Sequence, residues 1–155
     1  MDLWFNKRLY FYKYWLQELD IIKVNVCILK KKNKVLISSR PEPKILSGFF
    51  EFPGGKVEKG EFALESIQRE ICEELSVKID LSKIFFLISY QQISKKEKLL
   101  LTFFLCSKWS GRVKSLENQE IKWVKIRELE KFKMLKSNKR KIKFLYKNFK
   151  YLSSM

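Results

Sequence analysis

The period of the chain changes abruptly at Pro53-Gly54-Gly55, and that change limits the folds open to it. Up to that point the apolar residues follow strand patterns: residues 21–29 alternate and are rich in β-branched side chains. After a charged turn at 30–34, residues 35–39 read as a second strand, hairpinned to the first. Residues 40–48 hold two prolines and a glycine and read as a loop, followed by a short strand at 49–52. From Glu61 to Leu75 the spacing turns helical, with Leu64, Ile67, Ile71 and Leu75 expected on one buried stripe. Strand character returns at 84–93, 99–106 and 121–126, a short helical turn follows at Arg127, and a basic amphipathic helix is expected over 138–149. Strands on both sides of one helix, with a second helix closing the chain, predict an α/β domain on a mixed sheet.

At 155 residues the chain has room for one ordinary domain, and 46% apolar residues suffice for a core. Residues 1–20, crowded with aromatics but broken by charge, stand apart as an extension, and residues 21–155 form the domain. The extension is expected to be an added helix; a membrane-surface or partner-binding helix is the alternative. It has no run of about 20 apolar residues, so no membrane span is expected, nor does it resemble a signal peptide. Cys27, Cys72 and Cys106 are odd in number and widely spaced, and are expected to be buried, reduced thiols of a cytoplasmic protein.

Two features of composition narrow the chemistry. There is no histidine, which excludes Ser-His-Asp and Cys-His catalysis and histidine-bound zinc. The net charge of +16 favours an anionic ligand: a nucleotide, RNA or an anionic membrane surface.

Chemistry concentrates in GKVEKGEFALESIQREICEELSV, residues 55–77. Gly54 and Gly55 let a tight loop bring main-chain groups close to a ligand. Glu70, Glu73 and Glu74 fall at i, i+3 and i+4 on one helical face, beside but not on the apolar stripe. Carboxylates this close raise one another's pKa unless cations neutralise them, and hard divalent ions do so through oxygen. Arg69 stands where paired hydrogen bonds could brace a carboxylate.

This spacing resembles the Nudix box, G-x5-E-x7-R-E-U-x-E-E-x-G-U, where U is aliphatic. Gly55, Glu61, Arg69, Glu70, Ile71, Glu73, Glu74 and Val77 fill their places, and Ser76 replaces the last glycine. That glycine suits a left-handed helix terminus, so serine there should cost about 1 kcal/mol. The preceding run FFEFPGGK resembles the MutT branch, and the likeness runs from about residue 21 to 149.

The resemblance implies an α/β/α sandwich around a mixed sheet. It implies a Mg²⁺-dependent (or Mn²⁺-dependent) monomeric diphosphatase, acting on 8-oxo-dGTP or a related nucleoside triphosphate to give the monophosphate and pyrophosphate. By matched position it implies Glu70, Glu73 and Glu74 as metal carboxylates, with the Gly54 carbonyl and the later Glu120 as further ligands. Arg69 and Glu61 complete the catalytic set. Arg40, Glu51, Phe52, Lys56 and Asn138 are the substrate-binding candidates, Asn138 also being a plausible helix cap. Other Nudix substrates remain open, among them RNA 5′ ends and dinucleoside polyphosphates, as does a catalytically silent nucleic-acid-binding module.

Overall fold

The computed structural model describes residues 20–40, 42–43, 45–94 and 97–153. The expected helix within 1–20 thus lies outside the described residues, apart from Asp20. Among the described residues nine strands run β1 Ile21–Lys31, β2 Lys34–Ser39, β3 Phe50–Glu51, β4 Gly54–Lys56, β5 Lys78–Ile79, β6 Ile84–Ile93, β7 Lys98–Cys106, β8 Trp109–Ser110 and β9 Ile121–Lys125. Helix α1 spans Ala63–Leu75 and α2 spans Lys136–Ser153, with short 3-10 turns at Leu81–Lys83 and Ile126–Lys131.

The main sheet is ordered β3-β2-β1-β7-β6, with β4 added to β1 and β9 to β2. It is mixed: β1 and β7 run parallel, while β1–β2, β1–β4, β2–β3, β2–β9 and β6–β7 are antiparallel. Strand alternation explains the two cores. Val26 and Ile28 of β1, Val35 and Ile37 of β2, and Leu101, Phe103 and Leu105 of β7 face the cluster that holds Ile142 and Leu145 of α2. Cys27, Leu29, Leu36, Phe104 and Cys106 face the opposite cluster, with Ile67, Ile71 and Leu75 of α1. Helices therefore cover both faces, giving the expected α/β/α sandwich. Double coverage is also why residues 26–29 of β1 and most of β7 read as unbroken apolar runs.

Four expectations need correcting. The helix starts at Ala63, not Glu61, because the Glu65 carboxylate accepts the Phe62 N–H at 2.8 Å and fixes the entry there. Leu64 is 37% exposed, and Ser66 takes the inward position. The reason is polar: Asn25, buried on β1, donates through Nδ2 to Ser66 Oγ at 2.7 Å and to the Ala63 carbonyl at 3.1 Å. A leucine there would leave that amide short of a partner. Cys72 is exposed, outside the buried stripe of Ile67, Ile71 and Leu75; Cys27 and Cys106 are buried, and all three thiols are free. The closing helix starts before residue 138, at Lys136. Among the described residues no helix is long and apolar enough to cross a membrane.

Candidate active site

The site forms where β4 and the start of α1 meet the middle of β1. Gly54 pairs with Val26 and Gly55 with Asn25, so the Pro53-Gly54-Gly55 loop lies flat on the sheet. Gly54 has φ of 142° and its missing Cβ would overlap the backbone of Asn25 and Val26, so only glycine fits. A Cβ on Gly55 would land on the Glu70 carboxylate. The second glycine is thus the space that Glu70 occupies.

Arg69 organises the acids. Its Nε and Nη2 donate to the two oxygens of Glu61 at 2.9 and 3.0 Å. Nη1 donates to Glu70 at 2.8 Å and to Glu73 at 3.2 Å, and Nη2 also reaches the Lys56 carbonyl at 2.9 Å. The guanidinium is held charged well beyond its ordinary range by Glu61 and Glu70, while Arg69 and then the Glu58 N–H hold the Glu61 carboxyl below its own. One arginine thereby ties the box loop to the helix.

Glu74 points the other way, into the sheet, and accepts the Gly54 N–H at 3.2 Å. Its carboxyl is pushed up to about 8, first by burial and then by the charge of Glu70, with Glu117 and Glu51 adding to the effect and the Gly54 N–H opposing it. The three helix carboxylates do not converge. Among the described residues no three acidic groups stand at metal-ligand spacing, because Arg69 draws Glu70 and Glu73 aside and Glu73 is 56% exposed. The donor chemistry nonetheless fits a hard divalent cation: a buried acid faces further acids, on a loop of bare main chain, and lacks balancing positive charge.

The remaining candidates divide. Arg40 donates through Nη1 to both oxygens of Glu51 at 3.0 and 3.1 Å, and through Nε to the Ile45 carbonyl at 3.0 Å. The charge of Glu51 is felt at Glu74, so Arg40 and Glu51 lie beside the acids. The Lys56 side chain is exposed next to Arg69. Asn138 is 3% exposed, and its Oδ1 is buried without a hydrogen-bond partner. It lies in the first turn of α2, past the cap position, beside a segment that docks on β3 through Leu135 N–H to the Phe50 carbonyl at 2.9 Å.

Phe52 is turned into the core, and Glu120 stands exposed beside Ser39. Phe52 is 2% exposed and packs in the α2-side core, since alternation along 50–52 turns it inward. Its side chain is therefore not offered to a ligand. Glu120 is paired with Lys122 at 2.6 Å and is 59% exposed, with its N–H on Ser39 Oγ. Another acid of that region, Glu117, lies close enough for its charge to raise Glu74, brought near because Leu116 N–H donates to the Glu74 carbonyl at 3.0 Å. Sequence reasoning passed over Glu117, since a loop acid carries no periodic signal.

Comparison with known proteins agrees with this geometry. The NUDIX domain profile matches residues 21–146. The chain is 37% identical over 105 residues to an 8-oxo-dGTP diphosphatase of Buchnera aphidicola subsp. Schizaphis graminum, covering 68% of this chain and 78% of that one. It is 27% identical over 105 residues to a CTP pyrophosphohydrolase of Escherichia coli, covering 68% and 76% of the two. A solved structure from work on the MutT proteins of Aliivibrio salmonicida and Vibrio cholerae superposes with a TM-score of 0.71 at 28% identity, covering 80% of this chain and 95% of that one. A glutamate helix braced by one arginine against a glycine loop, on a sandwich shared with MutT, places this chain in the Nudix family as a MutT-like hydrolase of phosphoric anhydride bonds.

Proposed function

We propose that the protein hydrolyses 8-oxo-dGTP, or a related oxidised nucleoside triphosphate, to the monophosphate and pyrophosphate with Mg²⁺, and so removes mutagenic nucleotides from the pool. The observation that carries the reading is the buried Glu74 carboxyl, raised by burial and by its acidic neighbours beside the open Gly54-Gly55 loop. Such a group favours a cation and its phosphate-bearing partner over an empty site.

Glu70, Glu73 and Glu74, with Glu117 and the Gly54 carbonyl, would hold the divalent ion. When bound, that ion would offset polyphosphate charge and activate water. The protein's own residues do the rest. Arg69 keeps Glu61, Glu70 and Glu73 in place, and Arg40 with exposed Lys56 offers positive charge to the phosphates. With no histidine in the chain, a carboxylate takes the proton of the attacking water.

Asn138 supports the choice of base. Guanine presents only acceptors, N7 and O6, along its major-groove edge, whereas oxidation at C8 places a proton on N7. The partnerless Oδ1 of Asn138 is an acceptor suited to that proton.

The test is hydrolysis of a panel with Mg²⁺: 8-oxo-dGTP, dGTP, CTP, dinucleoside polyphosphates and 5′-triphosphorylated RNA, with products identified by chromatography. Selective release of 8-oxo-dGMP and pyrophosphate is expected. Preference for another member of the panel keeps the hydrolase and refutes the oxidised-nucleotide reading. Folded protein silent on all of them refutes the enzyme.

A further inference from the structure

The β1–β2 hairpin end holds a cationic surface that the hydrolytic site does not use. Lys31 pairs with Lys34 across the hairpin, and Lys34 pairs with Lys125 on β9, so three lysines stand in one cross-strand row. Like charges directly opposite on a sheet repel. Among the described residues none of Lys31, Lys32, Lys34, Lys125 and Arg127 stands within ion-pair distance of an acid. Lys32 even takes the left-handed turn position, with φ of 54°, where glycine or asparagine costs less.

Two hollows flank this turn and share Asn33. One, of about 310 Å³, is lined by Lys31, Lys32, Asn33, Lys34 and Trp123. The other, of about 490 Å³, is lined by Asn33, Lys125, Ile126, Arg127 and Glu128. Trp123 is partly exposed and stacked on Trp109, at 5.7 Å between ring centroids with 14° between planes, so its indole is held rigid. Along β1, Lys31 lies six residues beyond Asn25, the partner of Gly55. At the strand rise that is about 20 Å from the carboxylates, too far for one triphosphate to span both.

We propose that this hairpin end binds single-stranded nucleic acid, with backbone phosphates along Lys31, Lys34, Lys125 and Arg127 and a base against Trp123. Cations without acid partners suit a phosphodiester backbone, and a fixed indole is the aromatic contact that unpaired bases use. A flat anionic membrane would engage the lysines but gives no role to a tryptophan set inside a hollow beside them. The surface is independent of the hydrolytic reaction and stands or falls separately from it.

The experiment measures binding of the full chain to fluorescein-labelled 12-nucleotide single strands of RNA and DNA, to a matched duplex, and to phosphatidylserine vesicles, across a salt series. Two variants are compared: K31A/K34A/K125A, and the control K139A/K143A/K147A on the exposed side of α2. The hairpin variant is expected to bind single strands at least tenfold more weakly, with the log K against log salt slope reduced by about 2 and nucleotide hydrolysis unchanged. The control is expected to lose less than threefold. An equal loss in the control, tighter binding to duplex than to single strands, or vesicle binding in place of oligonucleotide binding would each overturn the proposal.

Discussion

Two parallel hydrogen bonds tie Arg69 to Glu61, Nε to Oε1 at 2.9 Å and Nη2 to Oε2 at 3.0 Å. The same guanidinium uses its remaining donors on Glu70, Glu73 and the Lys56 carbonyl, so it fixes the loop from Lys56 to Glu61 to the helix. A lysine keeps the charge but cannot make the fork. Arg69→Lys should therefore lower kcat/KM roughly 10–100-fold, as loss of a residue that orients ligands does, while circular dichroism stays native. Unchanged kinetics would show that the brace is dispensable.

Gly55 and Gly54 should fail differently. Alanine at 55 sets its methyl on the Glu70 carboxylate, a side chain that can swing away, so the fold should survive and activity should fall at least a hundredfold. Alanine at 54 meets the main chain of Asn25 at a φ of 142°, which cannot move without breaking β1–β4 pairing. Gly54→Ala should cost several degrees of Tm as well as activity. Thermal melts beside steady-state assays separate the two, and equal melts would contradict the backbone argument.

Ser76 closes α1 in the left-handed conformation, φ 60° and ψ 30°, with its N–H on the Cys72 carbonyl at 3.0 Å. The conformation that glycine would favour is kept, and serine carries the strain. Ser76→Gly should stabilise by roughly 0.5–1 kcal/mol, raising Tm by about 2–4 °C with kcat unchanged. A fall in Tm would mean that unfolded-chain entropy outweighs the relief.

Much of this was readable because helical spacing converts directly into geometry. Arg69 reaches Glu73 one turn along α1, and Ile67, Ile71 and Leu75 share its buried stripe, because a 3.6-residue repeat leaves little freedom. Where contacts are non-local the reading failed. Ser66 displaced Leu64 because of Asn25, forty-one residues away in sequence. Glu117 went unread because only the tie of its loop back to the end of α1 brings it near Glu74. Phe52 followed alternation into the core even though it sits within the family's signature run. The two- and three-residue strands β4, β5 and β8 are too short for any period to register.

Asn138 gives a prediction about selectivity. Its Oδ1 is already without a partner in the free protein, so removing it forfeits no hydrogen bond. Asn138→Ala should thus shift Tm by no more than a few degrees, yet raise KM for the oxidised nucleotide at least tenfold and narrow its advantage over dGTP. A large loss of stability with selectivity intact would assign the residue to packing.

Glu74 links stability, pH and metal. Its carboxyl titrates near about 8 in the folded, metal-free chain, chiefly through burial and then through Glu70, against about 4.3 when unfolded. The folded state therefore binds the extra proton between those values. Its contribution is fully present below about pH 4.3 and is lost as pH rises through about 8, at up to roughly 1.4 kcal/mol per unit. Metal-free protein should melt at progressively lower temperature from pH 5 to 8, a window in which Glu61, held below its ordinary range by Arg69, is ionised in both states and adds little slope. Glu74→Gln should flatten that fall. Added Mg²⁺ binds the ionised carboxylate, so it should raise Tm more at pH 8 than at pH 5, and the difference should vanish in the variant. A Mg²⁺ effect that is equal at both pH values, or that survives in Glu74→Gln, would remove Glu74 from the cation site.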